Sequence, residues 1–134
     1  MTDKELLERA LDARKNAYAP YSGFFVGAAL LTKDGKVYTG CNVENAAYSP
    51  SNCAERTALF KAVSEGEREF SAIAIVGGKG ESVNAICTPC GVCRQVLTEF
   101  CDHTLRVILG TPDDIRRYTL GELLPFSFGK GDIR

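Results

Sequence analysis

The chain has 134 residues, 45% of them hydrophobic, which is enough for one core of ordinary domain size and too few for two. Sixteen Lys and Arg against 17 Asp and Glu leave a net charge of −1, without the clustered basic residues that a nucleic acid or an anionic membrane surface would require as partner. No apolar run approaches a membrane span, and Thr2-Asp3-Lys4-Glu5 is charged where a signal peptide turns apolar, so a cytoplasmic protein is expected.

Thr2-x-x-Glu5 fits a capping box, and Leu6, Leu7, Ala10, Leu11, Ala13 and Ala17 recur at helical spacing, predicting a first helix that ends near Tyr18 because Pro20 follows. Residues 24–31 form an almost unbroken apolar run, as in a strand buried on both faces. Lys33-Asp34-Gly35-Lys36 then predicts a hairpin turn, with the returning strand over 36–41. Residues 42–51 make a polar, aromatic-bearing loop of ten residues, a length more often functional than structural. Asn52 is a good N-cap for a helix over 53–65 that Gly66 closes.

Residues 70–76 read as another buried strand, followed by a mobile turn at Gly77-Gly78-Lys79-Gly80 that lacks phosphate-loop spacing. Thr88 as N-cap and Pro89 at the first helical position start a third helix carrying Cys90, Cys93, Val96, Leu97 and Phe100. Strands over 105–109 and 115–118 flank a turn at 111–114, and Thr119-x-x-Glu122 offers a last capping box before Pro125. Strands alternating with helices predict the α/β class, as a three-layer α/β/α sandwich. Its mixed sheet of about five strands would have parallel central strands and a hairpin at one side, with residues 1–134 as a single domain.

The chemistry concentrates at two predicted helix starts. In a reducing cytosol six cysteines read as free thiols or metal ligands, and with His103 the only histidine a metal must be held mainly by sulfur. Cys53, two residues before Glu55, together with Cys90 and Cys93, has the spacing of a three-thiolate zinc site with an open fourth position. Helix N-termini stabilise thiolates, and positions i and i+3 face the same way. Three thiolates leave zinc with a net charge of about −1, which Arg56 is placed to offset by donating to a ligand sulfur.

Other readings of these residues stay open at this level. Glu55, three residues after Asn52, is where a capping-box glutamate belongs. Cys90 and Cys93 fit a redox dithiol spacing, though the preceding strand pattern of that fold is missing, and a closed structural zinc site would need a fourth ligand. Cys87-x2-Cys90-x2-Cys93 is a fragment of an iron–sulfur run, so spacing does not decide between Cys87 and Cys93 as partner of Cys90. Cys41 and Cys101 fall on apolar segments as small core residues, and His103 in a loop reads as a solvated surface residue.

Cys53-Ala54-Glu55 with Pro89-Cys90-x-x-Cys93 resembles the zinc nucleoside deaminases, specifically the short, homotetrameric cytidine deaminases. The likeness extends to the segments at 19–29, 42–48, 53–58, 90–95 and 122–125, nearly the whole chain. It implies one zinc ion per subunit on Cys53, Cys90 and Cys93, with Glu55 carrying protons during hydrolytic loss of ammonia from cytidine or 2′-deoxycytidine. It further implies that Phe24 stacks near the base, that Asn42 and Glu44 hold the ribose hydroxyls, and that Tyr48 and Ala54 also contact substrate. Phe128 would reach into a neighbouring subunit's site, although Phe126 occupies a position that is usually small in the family. The competing readings are a deaminase of a cytosine-bearing nucleoside antibiotic, a nucleic-acid deaminase, which would need a basic channel, and a non-catalytic zinc-stabilised module.

Overall fold

The apolar run after Gly23 becomes the spine of the sheet. In the computed structural model, which describes residues 1–83 and 86–133, β1 (Phe24–Thr32) turns at Asp34-Gly35 into β2 (Val37–Cys41) and pairs on its other side with β3 (Phe70–Lys79), antiparallel in both cases. β3 runs parallel to β4 (Arg106–Thr111), which folds back at Pro112-Asp113 into β5 (Asp114–Thr119). The order is β2-β1-β3-β4-β5, so among the described residues β3–β4 is the one parallel strand pair of the sheet. The expectation of parallel central strands is corrected accordingly: β1 enters the centre as half of a hairpin and separates β2 from β3, which run in the same direction.

Because alternate side chains of a strand face opposite ways, a sheet buried on both sides needs two helical layers. On one face α1 (Asp3–Ala13) sets Leu6, Leu7 and Ala10 against Ala29, Ala74 and Ile108. On the other, α2 (Ala54–Ser64) and α3 (Gly91–Phe100) set Ala58, Leu59 and Leu97 against Leu30, Ile73 and Val107. Each buried Leu or Ile side chain contributes about 1.5–3 kcal/mol relative to exposure. This is the three-layer arrangement predicted. A short α4 (Leu120–Leu123) follows β5. Among the described residues, no helix is long and apolar enough to cross a membrane.

Helix ends repeat the sequence signals at the two outer helices and depart from them at the two inner ones. The boxes Thr2–Glu5 and Thr119–Glu122 both form, whereas Cys53, not Asn52, caps α2, and Cys90, not Thr88, caps α3. Asn52 is taken up elsewhere: its backbone pairs with Val43 and its amide donates to the Thr57 hydroxyl at 3.1 Å. The first helix ends earlier than predicted, passing through a 3-10 turn over Arg14–Asn16 before Tyr18.

Gly77-Gly78-Lys79 is strand, not turn. Gly77 pairs with Val26, and Gly78 with Phe25. A Cβ on Gly77 would lie 2.7 Å from the Cys87 sulfur, so the bare backbone here makes room for that thiol. At Gly40 on β2 the close neighbours are backbone: an added Cβ would meet Ala58 N at 2.5 Å and Ala54 O at 2.7 Å. The first turn of α2 therefore lies directly on β2. Gly40→Ala is expected to destabilise the fold by about 1–3 kcal/mol, read as a lower denaturant midpoint with unchanged m-value.

Candidate active site

The sheet brings the starts of α2 and α3 together. Cys53 and Cys90 both sit at N-cap positions with extended backbone, φ/ψ of −76°/157° and −65°/166°, and Cys93 follows in the first turn of α3. The three sulfurs lie within 4.8 Å of one another, with Cys53 and Cys90 Sγ 3.6 Å apart. Tetrahedral Zn–S bonds of ~2.3 Å place sulfurs about 3.8 Å apart, so this donor set fits one zinc ion. Cys87, the alternative partner of Cys90 in the sequence, lies outside the sulfur cluster.

Charge is arranged to match. The Cys93 thiol and the Arg56 guanidinium hold Cys53 down at about 5, while Cys93, buried beside that sulfur, is pushed up. Arg56 Nη2 donates to Cys53 Sγ at 3.3 Å, the contact its sequence position predicts. Arg56 Nε is buried and has no hydrogen-bond acceptor among the described residues.

Glu55, two residues after Cys53, is 4% exposed. With Cys53 as the cap, Glu55 occupies the second helical position and forms no capping box, so that reading of the residue falls. Burial raises its carboxyl to about 7, and the neighbouring Cys53 sulfur adds to the rise. A carboxyl poised near neutrality can both hold and release a proton.

Glu55 faces a cleft of about 260 Å³ that also takes in Phe24, Asn42, Glu44 and Ala54. The Glu44 carboxylate accepts from the backbone N–H groups of Tyr21 and Ser22, at 3.0 and 3.1 Å, and from the Ser22 hydroxyl. These bonds hold it below the usual carboxylate range. Asn42 spends both amide atoms on β1, accepting from Val26 N at 2.9 Å and donating to Phe24 O at 2.8 Å. The long loop is thus pinned at its start against the strand that carries Phe24. Anionic sulfur, a buried carboxyl and an ionised carboxylate thus line one cleft. A larger groove of about 510 Å³, running from Lys33 to Lys130, contains neither the sulfur cluster nor Glu55.

Residues 1–111 match the family model described as the cytidine and deoxycytidylate deaminase zinc-binding region. The chain belongs to this family. It is 50% identical over 134 residues to the cytidine deaminase of Sporosarcina psychrophila, covering 99% of this chain and 96% of that protein. Among solved structures, the cytidine deaminase from Burkholderia pseudomallei superposes with a TM-score of 0.88 at 53% identity, over 96% of this chain and 100% of that one. The cytidine deaminase from Mycobacterium tuberculosis gives 0.81 at 43% identity, over 96% and 98%.

Family membership makes the position of the remaining residues informative. Tyr48 and Phe128 are exposed and do not line this chain's cleft. Tyr48 takes a φ of +62° and meets Tyr21 edge-on at 6.2 Å. The Phe128 carbonyl accepts from Gln95 at 2.8 Å, and Phe126 is wholly exposed with a φ of +54°. Cys101 packs against the core and Cys41 is half-buried at the end of β2, and burial raises both thiols. His103 is an exposed loop residue, as expected, with its side chain beside Gly121 and its carbonyl accepting from Gly121 N. Three further cleft residues, Ser22, Val26 and Thr88, carry no site role in the sequence, and Cys87, weighed there only as an alternative metal ligand, lines the cleft as well. For Cys87 the spacing to Cys90 was a signal. For Ser22 only the hydrogen bonds to Glu44 reveal the role.

Proposed function

We propose that this protein is a zinc-dependent cytidine deaminase that hydrolyses cytidine and 2′-deoxycytidine to uridine and 2′-deoxyuridine plus ammonia, serving pyrimidine salvage in the cytoplasm. The observation that carries the proposal is a buried carboxyl, Glu55, beside three convergent cysteine sulfurs, in a cleft that the ionised Glu44 also lines. Cys53, Cys90 and Cys93 hold the zinc, with Arg56 neutralising part of the sulfur charge. When bound, the ion supplies a water made acidic enough to be a nucleophile near neutral pH. Glu55 carries protons to the ring nitrogen N3 and then to the departing amino group, and each delivery restores it for the next.

Phe24 packs against the base, Ala54 borders it, and Asn42 and Glu44 take the ribose hydroxyls. Glu44 retains lone pairs for this, since three donors leave part of its carboxylate free. Residues 1–134 act as one catalytic domain. Tyr48 and Phe128 serve a neighbouring subunit's cleft in a homotetramer, a role that accounts for their exposure in the single chain. Loss of cytidine absorbance, followed with and without chelator, tests the reading. Turnover that chelation abolishes and added zinc restores is the expected result; zinc-loaded protein that leaves cytidine untouched would overturn it in favour of a non-catalytic zinc module.

A further inference from the structure

Two arginines stand close to the sulfur cluster in sequence, and they bond differently. Arg56 reaches a sulfur. Arg94, the residue after Cys93, instead bonds main-chain carbonyls: its Nε donates to Pro89 O at 2.7 Å and its Nη1 to Leu123 O at 2.5 Å. Pro89 immediately precedes Cys90, so its carbonyl belongs to the peptide that carries the Cys90 nitrogen. Leu123 is the last residue of α4, and the chain beyond it leads through Pro125 to Phe126 and Phe128. The neighbouring side chain, Gln95, donates to Phe128 O at 2.8 Å. Three bonds from two adjacent residues of α3 tie the turn bearing Cys90 to the C-terminal segment.

The two N-capping cysteines differ in how they are held. Cys53 is fixed from both sides, by the backbone pairing of Asn52 with Val43 and by the Thr57 hydroxyl on its own carbonyl at 3.2 Å. Cys90 is exposed, and the side-chain bond to the peptide before it comes from Arg94. A planar guanidinium presents its donors in a rigid fork, so displacement of one carbonyl is transmitted to the other.

We propose that Arg94 is a positioning residue that couples the metal site to the C-terminal segment: it holds the Pro89–Cys90 peptide against Leu123, so metal retention depends on the docking of residues 123–128. By linkage, metal binding in turn orders those residues. The proposal rests on the reading of Cys90 as a ligand.

The test uses the zinc-loaded full chain, with metal release followed by a chromogenic chelator and amide hydrogen exchange followed at residues 123–128, β5 serving as internal reference. Arg94→Lys keeps the charge but loses the fork, and Arg94→Gln loses both. Each is expected to release zinc about tenfold faster than the parent or more, in the range seen when partners of metal ligands are removed. Exchange at 123–128, relative to β5, should rise on metal removal in the parent and be raised already in the zinc-loaded variants. Unchanged release in both variants, or parent exchange at 123–128 that ignores the metal, overturns the coupling. If Arg94→Gln does not fold, Arg94→Lys and Gln95→Ala decide, since Gln95→Ala should also loosen the segment and speed release. Full zinc retention by Cys90→Ala would instead remove the ligand reading itself.

Discussion

Glu55→Gln is expected to keep its zinc and lose about two to four orders of magnitude in kcat. The amide preserves the shape of the buried side chain but can neither accept a proton from water nor pass one to the base. The sulfur cluster does not include this residue, so zinc content measured alongside turnover should stay at one ion per chain. Near-native turnover would refute the proton-carrying role.

The same substitution has a pH signature in metal-free protein. Burial raises Glu55 from 4.5 to about 7. The folded chain therefore holds this proton more tightly than the unfolded one. Its contribution is most favourable below pH 4.5, is lost as pH rises through 7, and stays lost above, a span on the order of 3 kcal/mol. Glu55→Gln should accordingly gain stability over the parent between pH 5 and pH 8 in urea titrations. A constant difference across that window would mean that the carboxyl is not raised.

Chelating zinc from the parent is expected to lower its thermal midpoint. A ligand that binds only the folded state stabilises it by about 4 kcal/mol at a thousandfold excess over Kd, which for a domain of this size corresponds to a fall on the order of 10–20 °C on removal. Cys93→Ala should start at the lower midpoint and show no further shift with chelator. Cys93 is the informative choice because its sulfur is fully buried and because Cys87, three residues before Cys90, offers a competing thiol. A chelator shift of parental size in Cys93→Ala would move the third ligand to Cys87.

Much of this site can be read from local chemistry. A proline and a glycine bracket Cys90, and Glu55 stands two residues after Cys53. The Asp34-Gly35 turn and the capping boxes at Thr2 and Thr119 depend on backbone groups a few residues away, and they form as predicted. The inner caps could not be read in the same way. Asn52 has the better capping side chain, yet its backbone is committed to Val43 from the loop, which moves the cap to Cys53 and takes Glu55 out of any capping role. Gly77 and Gly78 have the composition of a turn, but six paired residues of β3 precede them on β1's register and carry the strand through.

Residue types alone determined that a metal in this chain is held by sulfur, that a carboxyl accompanies it, and that a polar loop leads into the site, because those follow from counts and short spacings. Tertiary structure decided which third sulfur joins Cys53 and Cys90, that Glu55 is buried and shifted toward neutrality, and that Tyr48 and Phe128 stand outside this chain's own cleft. The physical reason is common to all three. Burial, desolvation and sulfur-to-sulfur distance depend on what distant segments place around a residue, and that information is absent from its neighbours in the chain.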